Sequence, residues 1–145
     1  MKILLAIDKS EYGRAALRMV GTQHDPSKHQ IRILTVLEPL IPLAYTETPM
    51  VYGPRLDAML RDRTKSAKSL LDRAATELRD KGFSVTTALR EGDTRREIVQ
   101  EAEKWRAKLI VVGSHSRKGM TRMVLGSVSE YVARHAHCSV EIVRR

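Results

Sequence analysis

Two glycines and the polar chain between them carry the clearest chemical signal in this sequence. Leu109-Ile110-Val111-Val112 is a short apolar run that breaks at Gly113, and a second small pair, Gly126-Ser127, follows a polar, basic stretch. An unbroken apolar run rich in β-branched residues suits a strand buried on both faces. Gly113 ends it, where a missing Cβ lets the backbone turn and a ligand come close. Ser127 and Glu130 have the spacing of a capping box, which predicts a helix starting there. A helix start with free N–H groups, a nearby glycine and the cations Arg117, Lys118 and Arg122 can receive a phosphate. An ordinary strand-to-helix connection needs the same glycine, cap and solvated charge, so the pattern alone admits both readings.

The other chemically capable residues are fewer. Asp8 closes the first apolar run, where it either meets a ligand or caps the following turn. His115 is placed to touch a phosphate or ribose, or to stand in solvent as a loop histidine. His24, His29, His135 and His137 are scattered without an H-x3-H or H-E-x2-H pair, so no metal site is expected. Cys138 is the only cysteine, which excludes an internal disulfide and a cysteine metal cluster. It follows an apolar helix, and a buried, inert thiol is expected. There is no G-x-S-x-G elbow, no G-x4-G-K-[ST] loop and no evident pair of tuned carboxylates. No catalytic residue is therefore assigned. A binding role is expected, with at most a slow incidental ATPase.

These residues need elements to position them. Lys2 to Asp8 reads as a first strand, and Ser10 caps a helix whose apolar face is Ala15, Ala16, Met19 and Val20. Ile31 to Leu37 is a second strand. From Glu38 to Pro54 the chain carries four of its five prolines, which predicts a long loop. Leu56 to Lys81 is the longest predicted helix, with Leu56, Leu60, Ala67, Leu70, Leu71, Ala74 and Leu78 on one face and Gly82 closing it. Ser84 to Arg90 is a third, less apolar strand, expected nearer the sheet edge. Asp93 caps a helix facing inward through Ile98, Val99, Ala102 and Trp105. A helix through Val128, Tyr131, Val132 and His135 and a fifth strand, Ser139 to Arg144, complete the chain. Alternating strands and helices predict a single-domain α/β fold over residues 1–145: a five-stranded, doubly wound parallel sheet of Rossmann-like type with helices on both faces. In such sheets ligands bind beyond the carboxyl ends of the strands, where the strand order switches.

Composition bounds the partners. With 145 residues, 42% of them hydrophobic and 30% charged, the chain has the make-up of a globular domain. No apolar run approaches the roughly 20 residues that span a membrane, and nothing resembles a signal peptide, so a cytoplasmic location is expected. The net charge of +9 suits an anionic partner. The cations are interleaved with acids, as in Arg61-Asp62-Arg63, and the chain has one tryptophan and one phenylalanine. Stacking platforms for nucleic acid are thin, and a solvated basic surface is the expectation.

Three stretches carry a family resemblance: KILLAIDKSEYGRAAL, EGDTRREIVQEAEKWRAKLIVVGSHS and LGSVSEYVARHAHCSVEIVR. Together they resemble the universal stress protein family from end to end, with its adenine nucleotide alpha hydrolase-like fold. Nucleotide-binding members carry G-x2-G-x9-G-[ST] after the fourth strand. Here Gly113, Ser116 and Gly126-Ser127 occupy that spacing, with serine in place of the middle glycine. The resemblance implies an ATP site, with magnesium as the accompanying ion. Asp8 would lie by the adenosine, and Val36 and Val112 would flank the adenine. Gly113, His115, Ser116 and Arg117 would approach ribose and phosphates, and Gly126, Ser127 and Val128 would offer N–H groups to the phosphates. The resemblance also implies a homodimer, a stress-response regulatory module paired through the fifth strand at Val140, Ile142 and Val143. Ser116 opens an alternative, a member without nucleotide that works through protein contacts alone. A left-handed backbone at that position would cost serine about 1–2 kcal/mol. Lys9, Ser139 and Glu141 also depart from the family's usual glycine, proline and apolar residue. Glu141 is expected either to weaken the fifth-strand pairing or to put a charge on the open edge.

Overall fold

The computed structural model describes residues 1–40, 53–115 and 125–144. Its elements follow the order β1 (Lys2–Ala6), α1 (Glu11–Gln23), β2 (Gln30–Leu37), α2 (Gly53–Asp80), β3 (Ser84–Glu91), α3 (Thr94–Trp105), β4 (Leu109–Gly113), α4 (Ser127–His135) and β5 (Ser139–Val143). All five strands pair in parallel, in the spatial order β3-β2-β1-β4-β5. From β1 the chain winds outward through β2 to β3, then crosses back to β4 and β5 on the other side. The switch falls between β1 and β4.

Alternation along the strands divides the apolar residues between two faces. Ile3, Leu5, Ile31, Ile33, Val85 and Val111 pack under α1 and α2. Leu4, Leu34, Ala88, Ile110 and Val112 pack under α3 and α4. Ile3, Leu4, Leu5, Ile110 and Val111 are fully buried, as strands covered on both faces require. The predicted fold class and all nine predicted elements are present.

Several boundaries differ for local reasons. β1 ends at Ala6 instead of Asp8, because Ile7 and Asp8 already lead toward α1, which Ser10 caps through its side chain on the Gly13 N–H. Pro54, assigned to a loop, lies in the first turn of α2, where proline's missing N–H has no helical partner to lose. The rest of the predicted proline-rich loop, residues 41–52, lies outside the described residues. The long periodic face of α2 is buried only at Ala67, Leu71, Ala74, Ala75 and Leu78. Leu60 and Met59, in its first half, stay 38% and 54% exposed. The helix ends as expected at Gly82, whose φ of +91° is left-handed and favours glycine.

The sequence reading missed Glu101. Its carboxylate is 2% exposed on the inner face of α3. It accepts from Arg32 Nη1 of β2 at 2.9 Å and from Arg90 Nε of β3 at 2.8 Å. Arg32 also lies over the Trp105 ring, 4.8 Å from its centre. Burying a carboxylate is tolerable only when charge and hydrogen bonds compensate it, and two guanidinium groups do so here.

Candidate ligand site at the carboxyl edge of the sheet

A cavity of about 300 Å³ opens at the carboxyl ends of β1, β2 and β4, where the strand order switches. Asp8, Val36, Val112, Gly113, His115, Gly126 and Val128 line it. Ser127 is exposed at the start of α4 and is not among the lining residues. Ser116 and Arg117, with Lys118 and Arg122, lie outside the described residues. The structure therefore gathers seven of the eight predicted site residues that it describes. Among the further lining residues are Ile7, Gly13, Glu38, Arg63, Thr94 and Ser129, which the sequence reading did not assign to the site.

Asp8 is set by the turn into α1. Its Oδ1 accepts from the Ser10 N–H at 3.0 Å and from the Ser10 hydroxyl, and that hydroxyl in turn accepts from the Gly13 N–H at 3.1 Å. The two readings of Asp8 coexist, since one oxygen caps the turn while the residue still lines the cavity. All described bonds use Oδ1. Gly13 is required by this arrangement, because a Cβ there would lie 2.7 Å from the Asp8 carbonyl and 2.8 Å from Oδ1.

The two motif glycines serve contacts within the chain. A Cβ on Gly113 would meet Tyr12 at 2.7 Å, so the space beside this glycine is filled by α1 and not held open for a ligand. A Cβ on Gly126 would lie 2.7 Å from the Ser114 carbonyl, the group to which the Gly126 N–H donates at 2.8 Å. The Ser129 hydroxyl also reaches the Ser114 carbonyl, at 2.9 Å.

The expected capping box is absent. Gly126, with φ −65° and ψ 149°, is the N-cap of α4, and no side chain caps the helix. Ser127 is therefore the first helical residue, one position too late to serve as cap. The docking of Gly126 and Ser129 on Ser114 sets this register. Among the described residues, it leaves the first-turn N–H groups of Ser127, Val128 and Ser129 without a side-chain acceptor, at the positive end of the helix.

His115 also differs from its solvent-exposed alternative. It is 8% exposed, its ring centre lies 5.1 Å from that of Tyr12, and its Nδ1 is 3.1 Å from Ser114 Oγ. Lys9 turns away from the cavity and donates to Ser66 on α2. At the β2 end, Glu38 Oε1 accepts from the Thr94 hydroxyl at 2.9 Å, and the Glu38 carbonyl accepts from Arg63 Nη2 at 2.8 Å.

Other candidates fall elsewhere. Cys138 is half-buried, and burial raises its thiol above the usual range, as an inert thiol requires. No group of three or more His, Cys, Asp or Glu among the described residues is placed to hold a metal. Glu141, expected to weaken the β5 pairing or to charge the open edge, is partly exposed. Its side chain turns toward α1, with Oε2 3.4 Å from His24 Nε2.

A family model described as the universal stress protein family matches residues 1–144. Universal stress protein YxiE of Bacillus subtilis is 31% identical over 145 residues, covering 99% of this chain and 98% of that protein. Universal stress protein Sll1388 of Synechocystis is 27% identical over 149 residues, with 99% and 97% covered. Among solved structures, hypothetical protein MJ0577 superimposes with a TM-score of 0.81 at 28% identity, covering 99% and 95% of the two chains. Two more share the fold with a TM-score of 0.70: a universal stress protein in complex with cAMP, at 21% identity, and a family protein from Arabidopsis thaliana with AMP bound, at 18%. The first covers 99% of this chain and 96% of that one, the second 100% and 92%.

Proposed function

The chain belongs to the universal stress protein family, and from that premise we propose that it binds an adenine nucleotide, ATP with magnesium, in the cavity at the switch point. The observation that carries this reading is the uncapped start of α4 at the mouth of a cavity with both apolar and polar lining. Three N–H groups at the positive end of a helix suit phosphate oxygens without any charged side chain. Leu34, Val36, Ile98 and Val112 offer apolar surface to a base, with Val36 and Val112 on its two sides. Asp8, with Oδ2 unbonded among the described residues, accepts a ribose hydroxyl. The relatives in complex with cAMP and AMP support the adenine nucleotide class. Magnesium would come with the phosphates, since it commonly keeps several waters and takes only one or two carboxylates from a protein.

The protein acts as a binding module and not as an enzyme. Binding would report nucleotide level to a partner through a homodimer paired at β5. Nucleic acid is not a partner in this reading, and the protein is cytoplasmic. No described helix is long and apolar enough to cross a membrane.

Calorimetric titration with ATP and magnesium tests the proposal, with a Ser116→Gly variant beside the wild type. Saturable binding by the wild type is the expected result, and Asp8→Ala weakens it. Binding by Ser116→Gly alone would show a dormant site and a protein that works through protein contacts. Silence in both would overturn the nucleotide reading.

A further inference from the structure

Arg63 enters the cavity from α2, a helix whose packing ends one turn further on, at Ala67. Its Nη2 donates to the carbonyl of Glu38, just past the end of β2, at 2.8 Å. That bond fixes one edge of the guanidinium, and no carboxylate pairs with it among the described residues. The Glu38 carboxylate is instead occupied by Thr94. No phenylalanine, tyrosine or tryptophan is among the described lining residues, so a flat ligand finds only aliphatic surface, the His115 ring and this one guanidinium plane.

Position across the sheet decides which part of a ligand Arg63 meets. Its anchor follows β2, whereas the uncapped N–H groups of α4 follow β4, with β1 between them. At about 4.8 Å per strand, the two lie about 10 Å apart. A nucleotide whose phosphates sit on α4 extends its base toward β2.

We infer that Arg63 is a binding residue for the base, its guanidinium plane laid against the purine face while Glu38 holds its edge. The inference rests on the nucleotide reading of the cavity. A guanidinium is planar, weakly hydrated and permanently charged, which suits stacking on a purine, and an ammonium lacks the plane. Its neighbour on the inner line of the helix, Leu60, is left partly exposed at the same end.

The test is calorimetric titration of wild type, R63A and R63K with adenosine, AMP and ATP. R63A is expected to weaken all three by the same factor, roughly tenfold, and R63K to lie nearer R63A than wild type. Side-chain removal leaves the buried residues of α2 intact, and coincident circular dichroism spectra check that each variant folds. A loss that grows from adenosine to ATP would make Arg63 a phosphate contact and overturn the inference. Unchanged binding by R63A would overturn it too, while leaving the nucleotide reading in place. A wild type that binds none of the three would overturn both.

Discussion

Gly126 shows how one residue can satisfy a motif for a reason the motif does not state. Its φ is −65°, an angle open to any residue, so conformational freedom does not demand glycine. Space does, because the Ser114 carbonyl stands 2.7 Å from where a Cβ would be. Gly126→Ala must push β4's exit away from α4, and overpacking of this kind costs about 1–3 kcal/mol. A fall in the urea midpoint with an unchanged slope is the expected result. The same variant should lose nucleotide binding, since the first turn of α4 moves with it. Unaltered stability and binding would show that the contact relaxes freely. Gly13 and Tyr12 belong to the same small device. Neither stands out in sequence, because Gly13 sits inside a helical pattern and its reason, the Asp8 carbonyl, is a contact between turns.

At the scale of elements, α3 is held by charge at its start and on its buried face. Asp93 caps it through the N–H groups of Arg95 and Arg96, as the sequence predicts. The Arg95 side chain donates to both carboxylate oxygens and holds the carboxyl at about 2, below its ordinary 3.8. A carboxyl depressed in the folded state contributes its stability above the unfolded value and loses it as pH falls through the folded one. The Asp93 contribution is therefore complete at neutral pH and drains between about pH 4 and pH 2. Asp93→Asn keeps an acceptor for the cap but cannot titrate. Its urea midpoint should lie below wild type at pH 7 and converge on it only as pH falls through about 2. Parallel curves over that range would remove Asp93 from the acid response. Deeper in the same helix, Glu101 draws β2 and β3 onto α3 through Arg32 and Arg90. A lone glutamate in an amphipathic pattern reads as solvent-facing. Its burial became visible only once two strands brought arginines to it.

At the scale of the whole molecule, the two outer strands are β3 and β5. Val140 and Ile142 pack partly against the α4 side and Val143 against the α1 side, so β5 has apolar flanks on both faces and an unpaired rim. Such an edge invites a second copy, unless charge or twist blocks it. Glu141 lies on the same strand, partly exposed, with Oε2 3.4 Å from His24 Nε2. Sedimentation should report twice the chain mass for wild type and a single chain for Ile142→Lys. A wild type that stays monomeric at high concentration would sink the pairing through β5.

The order of elements, the parallel sheet, both faces of its core and the place of the cavity were legible in the sequence, and for one reason. Apolar periodicity, caps and glycine breaks are properties of neighbouring residues, and in a parallel sheet the strand ends then gather of themselves. What only the tertiary structure decided was each feature made by residues far apart in the chain. The register of α4 came from Gly126 and Ser129 docking on Ser114, which turned an expected capping box into an open helix start. The burial of His115 came from Tyr12, that of Glu101 from two strands, and the entry of Arg63 from a helix that outruns its sheet. Local pattern sets where elements begin and which face they bury. Contacts across sequence distance set which polar groups are left without a partner among the described residues, and on those the proposed binding depends.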